Sequence, residues 1–233
     1  VGSEMCIRDR YSACMQCLPS PLQPLEIQYA DFAHWQRQWL AGRVLEEQLH
    51  FWRDALAGAP PLLALPTDRP RPPALTSNGA AWSFELSAPS TAALDRLARE
   101  NGCTRFMALS ALFQLLLARH SGQHDICLGT PIANRNRAEI EPLVGCFVNT
   151  LVLRARVSPE DTLPTLLAQV RKTALAAFEH QDLPFETLVD ALNPQRQLSH
   201  TPLFQVMFVL QNMPIGEVTL PGLRARPVAG EDI

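Results

Sequence analysis

Lysine is almost missing from this chain: Lys172 is the single one among 233 residues, and every other basic side chain apart from the histidines is arginine. Acidic residues number 23 and Lys plus Arg 20, a net charge of −3, so there is no strongly basic face of the kind that binding a phosphate backbone requires. Nucleic acid is therefore not an expected partner. No apolar run reaches the roughly 18 residues of a membrane span. The N-terminal stretch also lacks the charged start, apolar middle and small-residue cleavage site of a secretory signal. The expectation is a cytoplasmic protein with no membrane partner. Cys6, Cys14, Cys17, Cys103, Cys127 and Cys146 have no framework spacing and read as reduced thiols. Cys14 and Cys17 form a C-x-x-C, but no second cysteine or histidine pair at zinc spacing accompanies it, so no metal site is expected.

What is present is apolar sequence whose period changes along the chain. A hydrophobic content of 47% excludes a mainly disordered protein. Residues 1–25 have neither a helical nor a strand period, end in closely spaced prolines, and read as unstructured. Their opening, "VGSEMCIRDR", resembles translated sequencing-adapter strings and is set aside from the fold. Residues 26–78 read as crossing helices and a connector. Phe32, Trp35 and Trp39 recur at helical spacing, Leu45, Leu49, Trp52 and Leu56 form a second stripe, and six prolines in residues 60–73 enforce an extended strap.

Residues 79–233 read as an α/β layered unit. The alternation of Trp82, Phe84 and Leu86 predicts a strand. A helix opened by Pro89 and Ser90 follows, and then a nearly all-apolar helix, "RFMALSALFQLLLARH", with Thr104 placed to cap it. A short strand "DICLG", a polar loop, the strand "VGCFVNTLVLR", a helix over about 162–180, a short helix carrying Phe185, Leu188, Val189 and Leu192, and a strand in "LFQVMFVLQ" complete the order. Asn149 is the anomaly: a carboxamide in a strand built for burial costs about 1–3 kcal/mol unless partners are found for it. It either offers its amide to a bound substrate or bonds a neighbouring strand or loop.

With these elements placed, the chain resembles the condensation domains of nonribosomal peptide synthetases, relatives of chloramphenicol acetyltransferase. "YADFAHWQ" at residues 29–36, "VGCFVNTLVLR" at 144–154, "HQDLPFE" at 180–186 and "LSHTPLFQVMFVLQN" at 198–212 carry the likeness, which runs from about Ile27 to Met213. It implies a chloramphenicol acetyltransferase-like layered sandwich, mostly the second lobe of a two-lobed domain with a tunnel between its lobes, truncated here at its end. It also implies an acyltransferase that joins aminoacyl or peptidyl thioesters to an amine. The substrates ride on 4′-phosphopantetheine arms of peptidyl carrier proteins, and no cofactor binds this chain directly. An alternative is a non-catalytic carrier-protein docking module, or an epimerisation or cyclisation relative.

The family's H-H-x-x-x-D-G signature is absent. Its nearest imitation, "HSGQHDIC", reads as a turn, because Gly122 breaks the helix between His120 and His124. No catalytic residue is therefore assigned, the missing N-terminal lobe is an expected partner, and the fragment is expected to be inactive and to aggregate by itself. The resemblance makes Asn149, Thr150 and Asn134 the substrate-tunnel candidates, with Arg135 and Arg137 shaping the loop beneath. Asp31, Trp35, Arg154, His180, Asp182 and Glu186 are expected to be structural: Asp31 at a helix start or in a hydrogen bond between lobes, Arg154 in an ion pair or at the surface, His180 closing a helix, and Asp182 capping the next.

Overall fold

In a computed structural model of the chain, residues 2–192, 197–211 and 219–224 are described. Helix α1 spans Gly2–Met15, α2 Tyr29–Trp39, α3 Gly42–Leu56, α4 Ala88–Glu100 and α5 Arg105–Ser121. Strand β1 is Asp125–Ile132, a single 3-10 turn lies at Ala138–Ile140, and β2 is Asn149–Arg156. Helices α6 (Leu163–Glu179) and α7 (Phe185–Leu192) follow, and then a small hairpin of β3 (Thr219–Leu220) and β4 (Leu223–Arg224). Asn212 and everything beyond residue 224, including the expected truncation, lie outside the described residues.

The caps act where the sequence places them. Ser87, Thr104 and Thr162 each accept the backbone N–H three residues on, at 3.3, 3.2 and 3.4 Å, and so start α4, α5 and α6. Gly122 ends α5 with φ at +69°, a conformation that a side chain would strain. This confirms "HSGQHDIC" as a turn: His124 Nδ1 lies 3.0 Å from the Val157 carbonyl, and its ring belongs to that corner.

Antiparallel β1 and β2 form the centre, running from Asp125 opposite Arg156 to Ile132 opposite Asn149. Helix α5 packs against α4, α6 and β1, and α6 packs against β2. Ala108, Ala111, Ile126, Leu128, Leu151, Leu153, Leu167 and Ala174 are essentially inaccessible there. The third strand is reduced to one parallel bridge, Gly129 with Met207. Gly129 donates to Val206 O at 3.0 Å and accepts from Phe208 N at 2.9 Å. The next residue of β1 that would donate to this neighbour is Pro131, which has no N–H, so the ladder stops.

The proline-rich strap is nailed down by two glutamines. Gln123 accepts from Ala64 N at 2.7 Å and donates to Leu62 O at 3.1 Å, while Gln205 accepts from Leu63 N at 2.7 Å and donates to Pro61 O at 3.2 Å. Leu63 is thereby buried.

Two expectations fail. Residues 1–25 are not without regular structure: Gly2–Met15 form α1, which no proline or glycine interrupts after Gly2 and which has no apolar stripe directing it to the core. Tyr11 ties it to Pro221 O at 3.3 Å. Residues 82–86 form no strand. Their alternation is real, but a strand needs a backbone partner and they find none among the described residues, leaving Trp82 87% and Phe84 78% exposed.

Candidate functional site

Asn149, the first residue of β2, is 9% exposed, and its amide is spent inside the chain. Nδ2 donates to Gln181 O at 2.9 Å and Leu183 O at 2.8 Å, and Oδ1 accepts from Phe185 N at 3.0 Å. Both donors are used, so the tunnel-facing role expected for Asn149 is corrected: it clamps the "HQDLPF" turn and caps α7 from a distance. Asp182, expected as that cap, accepts instead from Asn136 Nδ2 at 3.3 Å. Asn149 Oδ1 already occupies the first N–H of α7, that of Phe185.

His180 closes α6 as expected. Its Nδ1 bonds the Ala176 carbonyl at 2.9 Å, its ring stacks on Phe51 at 3.8 Å, and its own carbonyl accepts the Trp52 indole N–H at 2.9 Å. Glu186 is exposed in the first turn of α7, where a carboxylate complements the helix dipole. His180, Asp182 and Glu186 thus have separate structural duties, and no hydrogen bond joins them among the described residues.

Arg154 is buried and fully engaged. Nε and Nη2 form a fork on Asp125 at 2.8 and 2.6 Å, and Nη1 donates to Ala55 O and Ala57 O at 3.0 and 2.9 Å at the end of α3. The bond with Asp125 raises its pKa, against the opposing effect of burial. Nearby, burial pushes the Cys127 thiol up to about 11, with the Asp125 carboxylate adding to the shift and Arg154 opposing it.

The β1–β2 connector is held from within and from α2. Arg135 donates to the carbonyls of Ile140 and Glu141 at 2.6 and 3.1 Å and lies 4.2 Å over the Phe147 ring. Asn134 has φ at +50°, a left-handed conformation that asparagine tolerates better than most residues, so a backbone requirement accounts for its identity. Tyr29 donates to Cys146 O at 2.8 Å, and its ring fills the place where a Cβ on Gly145 would sit. Asp31 starts α2 by accepting from Gln28 N at 2.8 Å, and Trp35 stacks on Trp39 and has the Arg137 guanidinium over its ring. Sequence reasoning missed Asn136, Phe204 and Tyr29 as partners of these loops. Gly129 and Gly145 were the available hints, since each marks a close approach by an aromatic ring.

The condensation-domain family model matches residues 7–222. The chain belongs to the condensation-domain family. The match begins inside α1, within the segment that its sequence had suggested setting aside. A linear gramicidin synthase of Brevibacillus parabrevis is 53% identical over 218 residues, covering 94% of this chain and 4% of that protein. Phosphinothricin tripeptide synthetase of Streptomyces viridochromogenes is 50% identical over 191 residues, covering 82% and 18%. The chain therefore spans a small part of the length of these curated relatives. Among solved structures, the X-domain from teicoplanin biosynthesis superposes with a TM-score of 0.78 at 28% identity, covering 86% of this chain and 46% of that one. The α/β, chloramphenicol acetyltransferase-like fold expected for the family is thus present, over about half of such a domain.

Proposed function

We propose that this chain is the C-terminal lobe, with crossing segments, of a two-lobed condensation domain in a nonribosomal peptide synthetase. The intact domain transfers an upstream aminoacyl or peptidyl group from its thioester to a downstream amine. Both substrates arrive on phosphopantetheine arms of peptidyl carrier proteins, and the chain itself holds no cofactor. One observation carries the reading: three of the family's motif segments, at 29–36, 144–154 and 180–186, are hydrogen-bonded to one another or through the β1–β2 connector. Tyr29 bonds to Cys146, Asn136 to Asp182, and Asn149 to the turn at 181–185. Thr150 is half-buried next to Asn149, and Asn134 turns the loop after β1.

The reacting imidazole belongs to the other lobe, because no H-H-x-x-x-D-G occurs in these 233 residues. General-base assistance of that type is worth about 10² to 10⁴ in rate. The chain alone is accordingly inactive, and the parent acts in the cytoplasm. No helix among the described residues is long and apolar enough to cross a membrane. A condensation assay with loaded carrier proteins tests the reading: amide formation by the parent domain and none by residues 1–233 is expected, and turnover by residues 1–233 alone overturns it.

A second reading, a docking module without catalysis, is favoured by the likeness to the X-domain in its complex with OxyB, with a TM-score of 0.83 over 97% of this chain and 51% of that one. A degenerate H-H-x-x-x-D-G in the parent, with no turnover, decides for docking.

A further inference from the structure

Where β1 and β2 part, one row of side chains on the sheet is apolar and bare. Directly paired residues point to the same face of a sheet, and side chains along a strand alternate. Val152 pairs with Gly129, and Gly129 bridges to Met207, so the three share a face. Phe204 lies over Gly129, so close that a Cβ there would overlap its ring. Two residues along, Thr150 pairs with Pro131. Val209 follows Met207 by two residues and Val148 precedes Thr150 by two, and both are exposed while Phe208 and Asn149 between them turn inward. This part of the face is open: Val148 is 63% exposed, Met207 and Val209 are each 49% exposed, and Thr150 and Pro131 are half-buried. Its one polar group is the Thr150 hydroxyl.

We infer that this row receives the apolar side chain of a carrier-bound aminoacyl or peptidyl group, and that Met207 and Val209 select for it. The inference rests on the amide-forming reading above. The size of the row supports it. A stable protein–protein contact takes on the order of 20–30 residues a side, whereas these few side chains match one aliphatic or aromatic group. Its chemistry agrees, since no charged side chain belongs to the row and Thr150 offers a single hydroxyl at its edge to an amide or carbonyl of the bound group. Its rigidity agrees as well. Phe204 packs on Phe185 at 5.5 Å, and the Phe185 N–H is held by Asn149, so the clamp braces the covered end of the row.

The test uses the parent synthetase with Met207→Gln and Val209→Thr, near-isosteric changes at half-exposed positions. Condensation of leucyl and alanyl groups is compared, with the group varied first on the upstream carrier and then on the downstream one. For one carrier, kcat/KM for the leucyl group falls about tenfold and that for the alanyl group changes less than about twofold, with an unchanged melting temperature. Equal loss for both groups with a lowered melting temperature assigns the row to packing against the rest of the domain and overturns the inference. No change for either group overturns it too. A wild-type parent that forms no amide with any loaded carrier is a different failure: it removes the amide-forming reading, and the inference with it.

Discussion

The side-chain oxygen of Asn149 accepts the backbone N–H of Phe185 at 3.0 Å, so the residue that opens β2 caps a helix 36 positions later. The same amide donates to the carbonyls of Gln181 and Leu183, which makes the donor nitrogens as important as the oxygen. Asn149→Ala should cost the parent domain about 2–3 kcal/mol, because buried backbone groups lose their partners. Asn149→Asp should cost more, since a carboxylate faces two carbonyls, and the gap should narrow on acidification, when the protonated acid regains one donor. Denaturant unfolding of both variants at two pH values checks the order.

Arg154 should resist conservative replacement. A lysine cannot supply the fork to Asp125 together with donors to Ala55 O and Ala57 O. Arg154→Ala should cost about 2–4 kcal/mol, discounted from the value for a fully buried pair because Asp125 keeps 29% of its side chain in solvent. Arg154→Lys should recover less than half of that. The pKa of Arg154 is raised, so its contribution is complete below the ordinary arginine value and is lost only at pH above it. Unfolding midpoints of the two variants across the neutral range should therefore run parallel.

Gly129→Ala should force Phe204 off the sheet, since the new methyl would overlap its ring. Overpacking of this kind costs about 1–3 kcal/mol. Phe204→Leu in the same chain should return part of the loss, and a double-mutant cycle measures the coupling.

Thiol labelling should divide the cysteines. Cys14, Cys17 and Cys146 are exposed and react in the native state, whereas Cys127 is buried with its thiol pushed up to about 11 and reacts only on unfolding. The raised value also stabilises the fold below the ordinary thiol pKa near 9, and that contribution is lost as pH rises from there through about 11.

Ser110 is completely buried on α5, and its hydroxyl has no hydrogen-bond partner among the described residues. Ser110→Ala should therefore be neutral or stabilising, by up to about 1 kcal/mol in thermal unfolding.

Local chemistry was legible from sequence, and long-range partnership was not. Thr104, Thr162 and Gly122 act within a few residues of themselves, and each does what its residue type implies. Asn149 was recognised as needing partners, but a strand pattern cannot say that they lie in a turn beyond the next helix. Asp182 failed for the complementary reason: capping preference is a local rule, and here Asn149, distant in sequence, had already taken the N–H. Residues 82–86 carry a sound alternation, yet pairing is decided by whichever strand stands alongside. The bridge at Met207 ends early because Pro131, on the other strand, withholds a donor.

The strap has a practical consequence for building chimaeric synthetases. Residues 61–64 are stitched to Gln123 and Gln205, which are far apart in the lobe's sequence. A splice made there would exchange one side of each stitch and leave mismatched ends. Residues 66–73 lie just past the stitches, exposed or half-exposed and rich in proline, so a graft boundary placed among them carries the whole seam across intact.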